Sequence, residues 1–132
     1  MADNKTILLI DDDADIHEAV KMILEPAGYK IECALTGPAG LEAARKRKPD
    51  LILLDIMLDS PSEGFHLAYE LKKDDVLKAV PIIIISSIGK TMGMDYAKEL
   101  GSEYVPANMF LDKPFDAATL RGSVQKALSG GN

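Results

Sequence analysis

Three uninterrupted aliphatic runs, Ile7–Ile10, Leu51–Leu54 and Ile82–Ile85, set the tightest limit on how this chain folds. A strand with one wet face alternates apolar and polar residues. A run that does not alternate is dry on both faces, the mark of a parallel sheet covered on either side. Each run is far too short for the roughly 18–20 residues of a membrane span. Lys30–Ala34 and Met109–Asp112 read as two further strands.

The intervening segments read as helices. Ile16, Val20, Ile23 and Leu24 recur at helical spacing, with Asp12 or Asp13 as cap and Pro26 with Gly28 as stop. Thr36 and Pro38 open a second helix through about Arg47. Phe65, Leu67, Ala68 and Leu71 mark a third; Met94, Ala97 and Leu100 mark a fourth that stops at Gly101. Asp116 caps a fifth, with Leu120, Val124, Ala127 and Leu128 on one face. The alternation predicts an α/β fold: a five-stranded parallel sheet built as (βα)5, with helices on both faces. Its length favours the flavodoxin-like strand order 2-1-3-4-5. All 132 residues fit one domain, with a core over about 5–128 and a Gly-rich tail at 129–132. Ser102–Asn108 is the one long irregular stretch.

Acidic residues outnumber basic ones by 21 to 15, a net charge of −6, so the chain lacks the basic face of a general nucleic-acid binder. The start, Met1 to Lys5, carries no apolar signal region, and the expectation is a cytoplasmic protein with no membrane contact. Cys33 is the sole cysteine, which excludes an intrachain disulfide and a cysteine zinc cluster; it reads as a small apolar core residue. His17 and His66 read as surface residues, neither accompanied by further ligands at metal spacing.

In this architecture ligands sit outside the carboxyl ends of the strands, where the order switches between the first and third. There the first strand runs into Asp11-Asp12-Asp13, the third into Asp55, the fourth into Ser86-Ser87 and the fifth into Lys113-Pro114. Carboxylates gathered so closely repel one another. A hard divalent cation offsets the repulsion, and oxygen-only ligands select Mg2+ or Mn2+ over zinc. Lys113 adds a positive charge and Ser86 a hydroxyl donor, so metal, ammonium and hydroxyl together suit a phosphoryl group. A central aspartate is then a candidate nucleophile that forms an acyl phosphate. The acidic run also has a plainer reading, a helix cap with dipole-stabilising charges. Asp55 at the matching strand end tips the balance towards a metal site.

Four motifs in order, each at a strand end, carry a resemblance: Ile7-Leu8-Leu9-Ile10-Asp11-Asp12-Asp13, Pro49-Asp50-Leu51-Ile52-Leu53-Leu54-Asp55-Ile56-Met57-Leu58, Pro81-Ile82-Ile83-Ile84-Ile85-Ser86-Ser87 and Phe110-Leu111-Asp112-Lys113-Pro114-Phe115. Over about residues 5–128 the chain resembles the response-regulator receiver domain of two-component signalling. The resemblance implies a switch that accepts a phosphoryl group on Asp55 from a sensor histidine kinase or a histidine phosphotransfer protein. It implies Mg2+ held by Asp12 directly, Asp11 through water, Asp55 and the backbone carbonyl of Met57. Ser86 matches the hydroxyl that turns to the phosphoryl group, Lys113 the lysine that pairs with it, and Phe110 the aromatic switch. Asp13 stands at a position that is usually acidic. A downstream output protein or domain would read the surface of the fourth helix, fifth strand and fifth helix. Such a domain is not an enzyme beyond its own phosphorylation and dephosphorylation. The resemblance also implies that Met57 and Ile88, two residues after the phosphoacceptor and the hydroxyl, line the path of attacking water, and both are apolar. The chain departs from the family at Asp59, where proline is common, and in the longer spacings Asp55 to Gly64 and Ser86 to Lys113. The second places extra length in Ser102–Asn108.

Three other functions compete with this reading. A haloacid-dehalogenase-like phosphatase would use Asp11 as nucleophile within Asp11-Asp12-Asp13. Asp15 in place of threonine or valine, the lack of an acidic pair after Lys113 and the lack of room for a cap stand against it. A degenerate receiver that only binds partners is disfavoured by the complete acidic set. An FMN-binding flavodoxin ranks last, because the loop after the first strand is acidic rather than a phosphate cradle.

Overall fold

The computed structural model describes residues 5–55, 67, 69–75, 77–86, 109–112 and 115–129, with Ser86, Met109, Phe110 and Asp112 placed by their backbone alone. Within it the aliphatic runs form the middle of one parallel sheet. Strands β1 (Thr6–Ile10), β2 (Lys30–Ala34), β3 (Leu51–Asp55), β4 (Ile82–Ser86) and β5 (Met109–Asp112) lie in the order β2-β1-β3-β4-β5. The predicted strand order is the observed one.

Every residue of the runs 7–10, 51–54 and 82–85 is at most 1% exposed, because successive side chains enter two different cores. Leu8, Ile10, Ile52, Leu54, Ile82 and Ile84 pack with Ala44, Leu67, Leu71 and Leu77. Ile7, Leu9, Leu51, Leu53, Ile83 and Ile85 pack on the other side with Val20, Leu24, Leu120 and Val124. Each such aliphatic contributes roughly 1.5–3 kcal/mol by burial. Helix α2 (Gly37–Arg47) covers the first face; α1 (Ala14–Leu24) and α3 (Ala117–Leu128) cover the second.

Local chemistry fixes the helix ends. The Asp13 carboxylate caps α1 by accepting from the Asp15 amide at 2.9 Å, and Thr36 caps α2 through the Ala39 amide at 3.2 Å. Asp116 accepts from the Thr119 amide at 2.7 Å at the start of α3. After α1 a single 3-10 turn, Glu25–Ala27, ends on Gly28 with a left-handed φ of 101°. Helix α2 comes so close to β1 that a Cβ on Gly40 would stand 2.5–2.9 Å from three side-chain atoms of Ile10.

Residue 67 and residues 69–73 are helical, and Leu67 and Leu71 are buried as their spacing predicts. Phe65, Ala68, the markers of the fourth expected helix, the irregular stretch 102–108 and the tail beyond Ser129 lie outside the described residues, as does His66.

Two expectations are corrected. Cys33 is exposed, not a core residue. It lies on β2, an edge strand of the sheet. Partial burial still pushes its thiol pKa up, opposed by Lys21 and reinforced by Glu32 and Glu25. His17 is buried, only 6% exposed, rather than at the surface. It lies in the first turn of α1, on the buried face it shares with Val20 and Leu24.

Candidate functional site

The pairing of Ile10 with Leu54 brings the next residues of β1 and β3, Asp11 and Asp55, to the same sheet edge. Asp11, Asp12 and Asp55 each present a carboxylate oxygen, and all three oxygens lie within 4.8 Å of one another. Asp11 is 0% and Asp55 4% exposed, whereas Asp12 is open to solvent.

Asp11 is held on several sides. Its amide donates to the Ala34 carbonyl at 3.0 Å, which ties it to the end of β2. Its carboxylate Oδ1 accepts from the Asp13 amide at 2.9 Å. Its carbonyl oxygen lies 2.6 Å from Nε2 of His17. A carbonyl only accepts, so Nε2 carries the hydrogen. Nδ1 of the same ring is buried with no hydrogen-bond partner among the described residues.

The acidic run therefore divides. Asp11 and Asp12 face Asp55, while Asp13 turns to the first turn of α1 and acts as its cap. The capping reading holds for Asp13, while the grouping of Asp11 and Asp12 with Asp55 is compatible with the metal reading.

Two carboxylate charges about 5 Å apart at an effective dielectric near 20 repel by about 3 kcal/mol, less where water screens Asp12. A divalent cation at the cluster would add attractions that outweigh that repulsion. The donor set is oxygen only, with no cysteine or histidine, which fits Mg2+ or Mn2+ and not zinc.

The backbone of Ser86 ends β4 at the same edge, in register with Asp112 of β5. Phe110 lies on β5 opposite Ile84. Lys113, Met57 and Ile88 lie outside the described residues. Sequence reasoning missed His17. The signal was present, since His17, Val20 and Leu24 follow i, i+3, i+7 and point one histidine inward just past the acidic loop.

A family profile described as "Response regulator receiver domain" matches residues 7–125. The chain belongs to this family. The receiver domain is 36% identical over 124 residues to the phosphate regulon transcriptional regulatory protein PhoB of Pseudomonas aeruginosa, covering 94% of this chain and 52% of that protein. A crystal structure of a putative response regulator from Chloroflexus aurantiacus matches with a TM-score of 0.80 and 28% identity, covering 96% of this chain and 98% of that one. The receiver domain of the Pseudomonas aeruginosa sensor histidine kinase PA1611, a structure with a magnesium ion coordinated in its active-site cleft, shares the fold. Its TM-score is 0.81 at 24% identity, covering 96% of this chain and 98% of that one.

This receiver is thus homologous to response regulators such as PhoB, consistent with a phosphorylation-dependent signalling switch. The cluster of Asp11, Asp12 and Asp55 is compatible with Mg2+ binding. The chain spans about half the length of several of the curated relatives that it matches. Among the described residues, no helix is long and apolar enough to cross a membrane.

Proposed function

We propose that this receiver accepts a phosphoryl group on Asp55 from phosphohistidine of a sensor kinase or phosphotransfer protein, and that the change is read by an output protein or domain. The observation that carries the reading is the buried Asp55 carboxylate at the end of β3, with two further carboxylates within 4.8 Å. A carboxylate oxygen of Asp55 attacks phosphorus, the phosphorus–nitrogen bond of the donor breaks, and an acyl phosphate forms. Bound Mg2+ supplies charge neutralisation for the phosphoryl oxygens. Asp12 would hold it directly, Asp11 through water, with Asp55 and the Met57 carbonyl completing the set. Lys113 pairs with the phosphoryl group and Ser86 donates to it from the end of β4.

Activation shifts a two-state packing in which Ser86 moves to the phosphoryl oxygen and Phe110 turns into the space it leaves. Output follows from the surface of the 94–100 segment, β5 and α3. The acting unit is a single domain over about residues 5–128, working in the cytoplasm as a phosphoacceptor rather than an enzyme with an external substrate, and without direct contact to nucleic acid. Met57 and Ile88 have no acceptor to orient water, so the acyl phosphate is long-lived. The double change Met57→Asn with Ile88→Glu should hasten its decay by about 10²-fold.

Mass spectrometry of the intact chain and its peptides after incubation with acetyl phosphate and Mg2+ tests the reading. One phosphoryl group on Asp55 supports it. Labelling of Asp11 instead supports the phosphatase reading, and no labelling supports a module that only binds.

A further inference from the structure

We propose that His17 is a positioning residue for the acidic loop. Its imidazole holds the Asp11 carbonyl and so sets where the Asp11 and Asp12 carboxylates stand before a cation arrives. This rests on the reading of Asp11 and Asp12 as metal ligands.

The ring of His17 is fixed by its own burial in the stripe it shares with Val20 and Leu24, on the face of α1 that packs against the sheet. Buried polar side chains are normally hydrogen-bonded throughout. Here Nδ1 is buried without a partner, so the bond from Nε2 to the Asp11 carbonyl, at 2.6 Å, is the ring's one polar contact among the described residues. That contact falls on the backbone of a site residue.

The grip complements the others on the same residue. The Asp11 amide is tied to Ala34 and its Oδ1 to the Asp13 amide, and His17 adds the carbonyl. The Asp11 carbonyl and the Asp12 amide belong to one planar peptide unit, so fixing the oxygen fixes the plane from which Asp12 departs. Groups that orient metal ligands from behind in this way typically change metal affinity 10–100-fold when removed. A purely space-filling role for the imidazole predicts a different pattern, which separates the two.

The test uses the whole chain and Mg2+ alone, followed by calorimetry and by amide shifts in NMR. Glutamine can place an amide N–H where Nε2–H stands, whereas methionine fills the volume without a donor. His17→Met should weaken Mg2+ binding about tenfold or more, and His17→Gln should stay within about threefold of wild type. In the cation-free protein, a scalar coupling across the hydrogen bond from His17 15Nε2 to the Asp11 13C carbonyl should be present. Wild-type affinity in His17→Met, equal weakening in both variants, or absence of the coupling overturns the proposal. Should His17→Met fail to fold, His17→Gln and the coupling still decide. A wild type that does not respond to Mg2+, with Asp12→Ala indistinguishable from it, overturns the site reading instead. The coupling then judges the grip of His17 by itself.

Discussion

Asp50 and Asp55 bracket the same strand, and one side chain type does opposite things at its two ends. Asp50, exposed, accepts from the Thr6 amide at 2.8 Å through Oδ2, while its own amide donates to the Thr6 carbonyl at 2.8 Å. It fastens the start of β3 to the start of β1. Asp55, buried, meets the carboxylates of Asp11 and Asp12. At the amino edge the neighbouring strand delivers a donor, and the charge stabilises the fold. At the carboxyl edge it delivers like charges, whose mutual repulsion works against the fold. The residue type says little about its role; the edge to which the strand carries it says a great deal.

The contrast is sharpest in phosphoryl transfer. Asp55→Asn should abolish labelling by acetyl phosphate with Mg2+, while Asp50→Asn should label fully, read as the mass of the intact chain. Equal labelling of the two would erase the distinction. Next, Mg2+ at about one hundred times its Kd should raise the unfolding free energy of wild type by about 2.7 kcal/mol, measured by urea denaturation. Asp12→Ala should lose most of that gain and Asp50→Ala none of it.

The carboxyl edge is also the more tightly built, since α2 presses on Ile10 immediately before Asp11. Gly40→Ala should therefore destabilise by about 1–3 kcal/mol. Gly122→Ala on α3, where an added Cβ meets nothing within 4 Å, should stabilise by about 0.5–1 kcal/mol. A neutral Gly40→Ala would show that this packing is slack. At the amino edge, Asp50→Ala should cost about 0.5–1.5 kcal/mol with phosphoryl transfer intact.

The smallest effect concerns Asp116, whose pKa is held below the usual carboxylate range by hydrogen bonding from Thr119. Its folded-state pKa is depressed, so its contribution is complete above the unfolded value and is lost as pH falls through the folded one. Amide exchange in the first turn of α3 should quicken over that acid range in wild type. In Asp116→Asn it should not.

Much of this was legible in the sequence, for physical reasons. Strands dry on both faces cannot be mistaken for half-wet ones, so β1, β3 and β4 stood out. Thr36 and Asp116 announced the helix starts because their side chains complete orphan amides. Asp11, Asp12 and Asp55 were readable as a group because a parallel sheet sends all its carboxyl ends to one edge. Cys33 was misread because its apolar character outweighed its place on β2, which the predicted strand order already puts at the edge of the sheet. His17 was misread because polarity argued for the surface, while its place in the i, i+3, i+7 stripe argued for the core and prevailed. The division of labour between Asp12 and Asp13 depends on where each carboxylate turns, which no spacing rule states.

The dryness of β1 and β3 has a consequence for alignment. With aliphatic side chains facing both layers, sliding one strand past the other by a residue exchanges one leucine or isoleucine for another, and hydrophobic burial alone scarcely notices the slip. The polar ends do notice. Only in the native frame does Asp50 meet Thr6 through both its carboxylate and its amide. The fiducial mark for the pair thus lies at the end remote from the acidic cluster, and the meeting of Asp11 with Asp55 is inherited from it, one strand-length away.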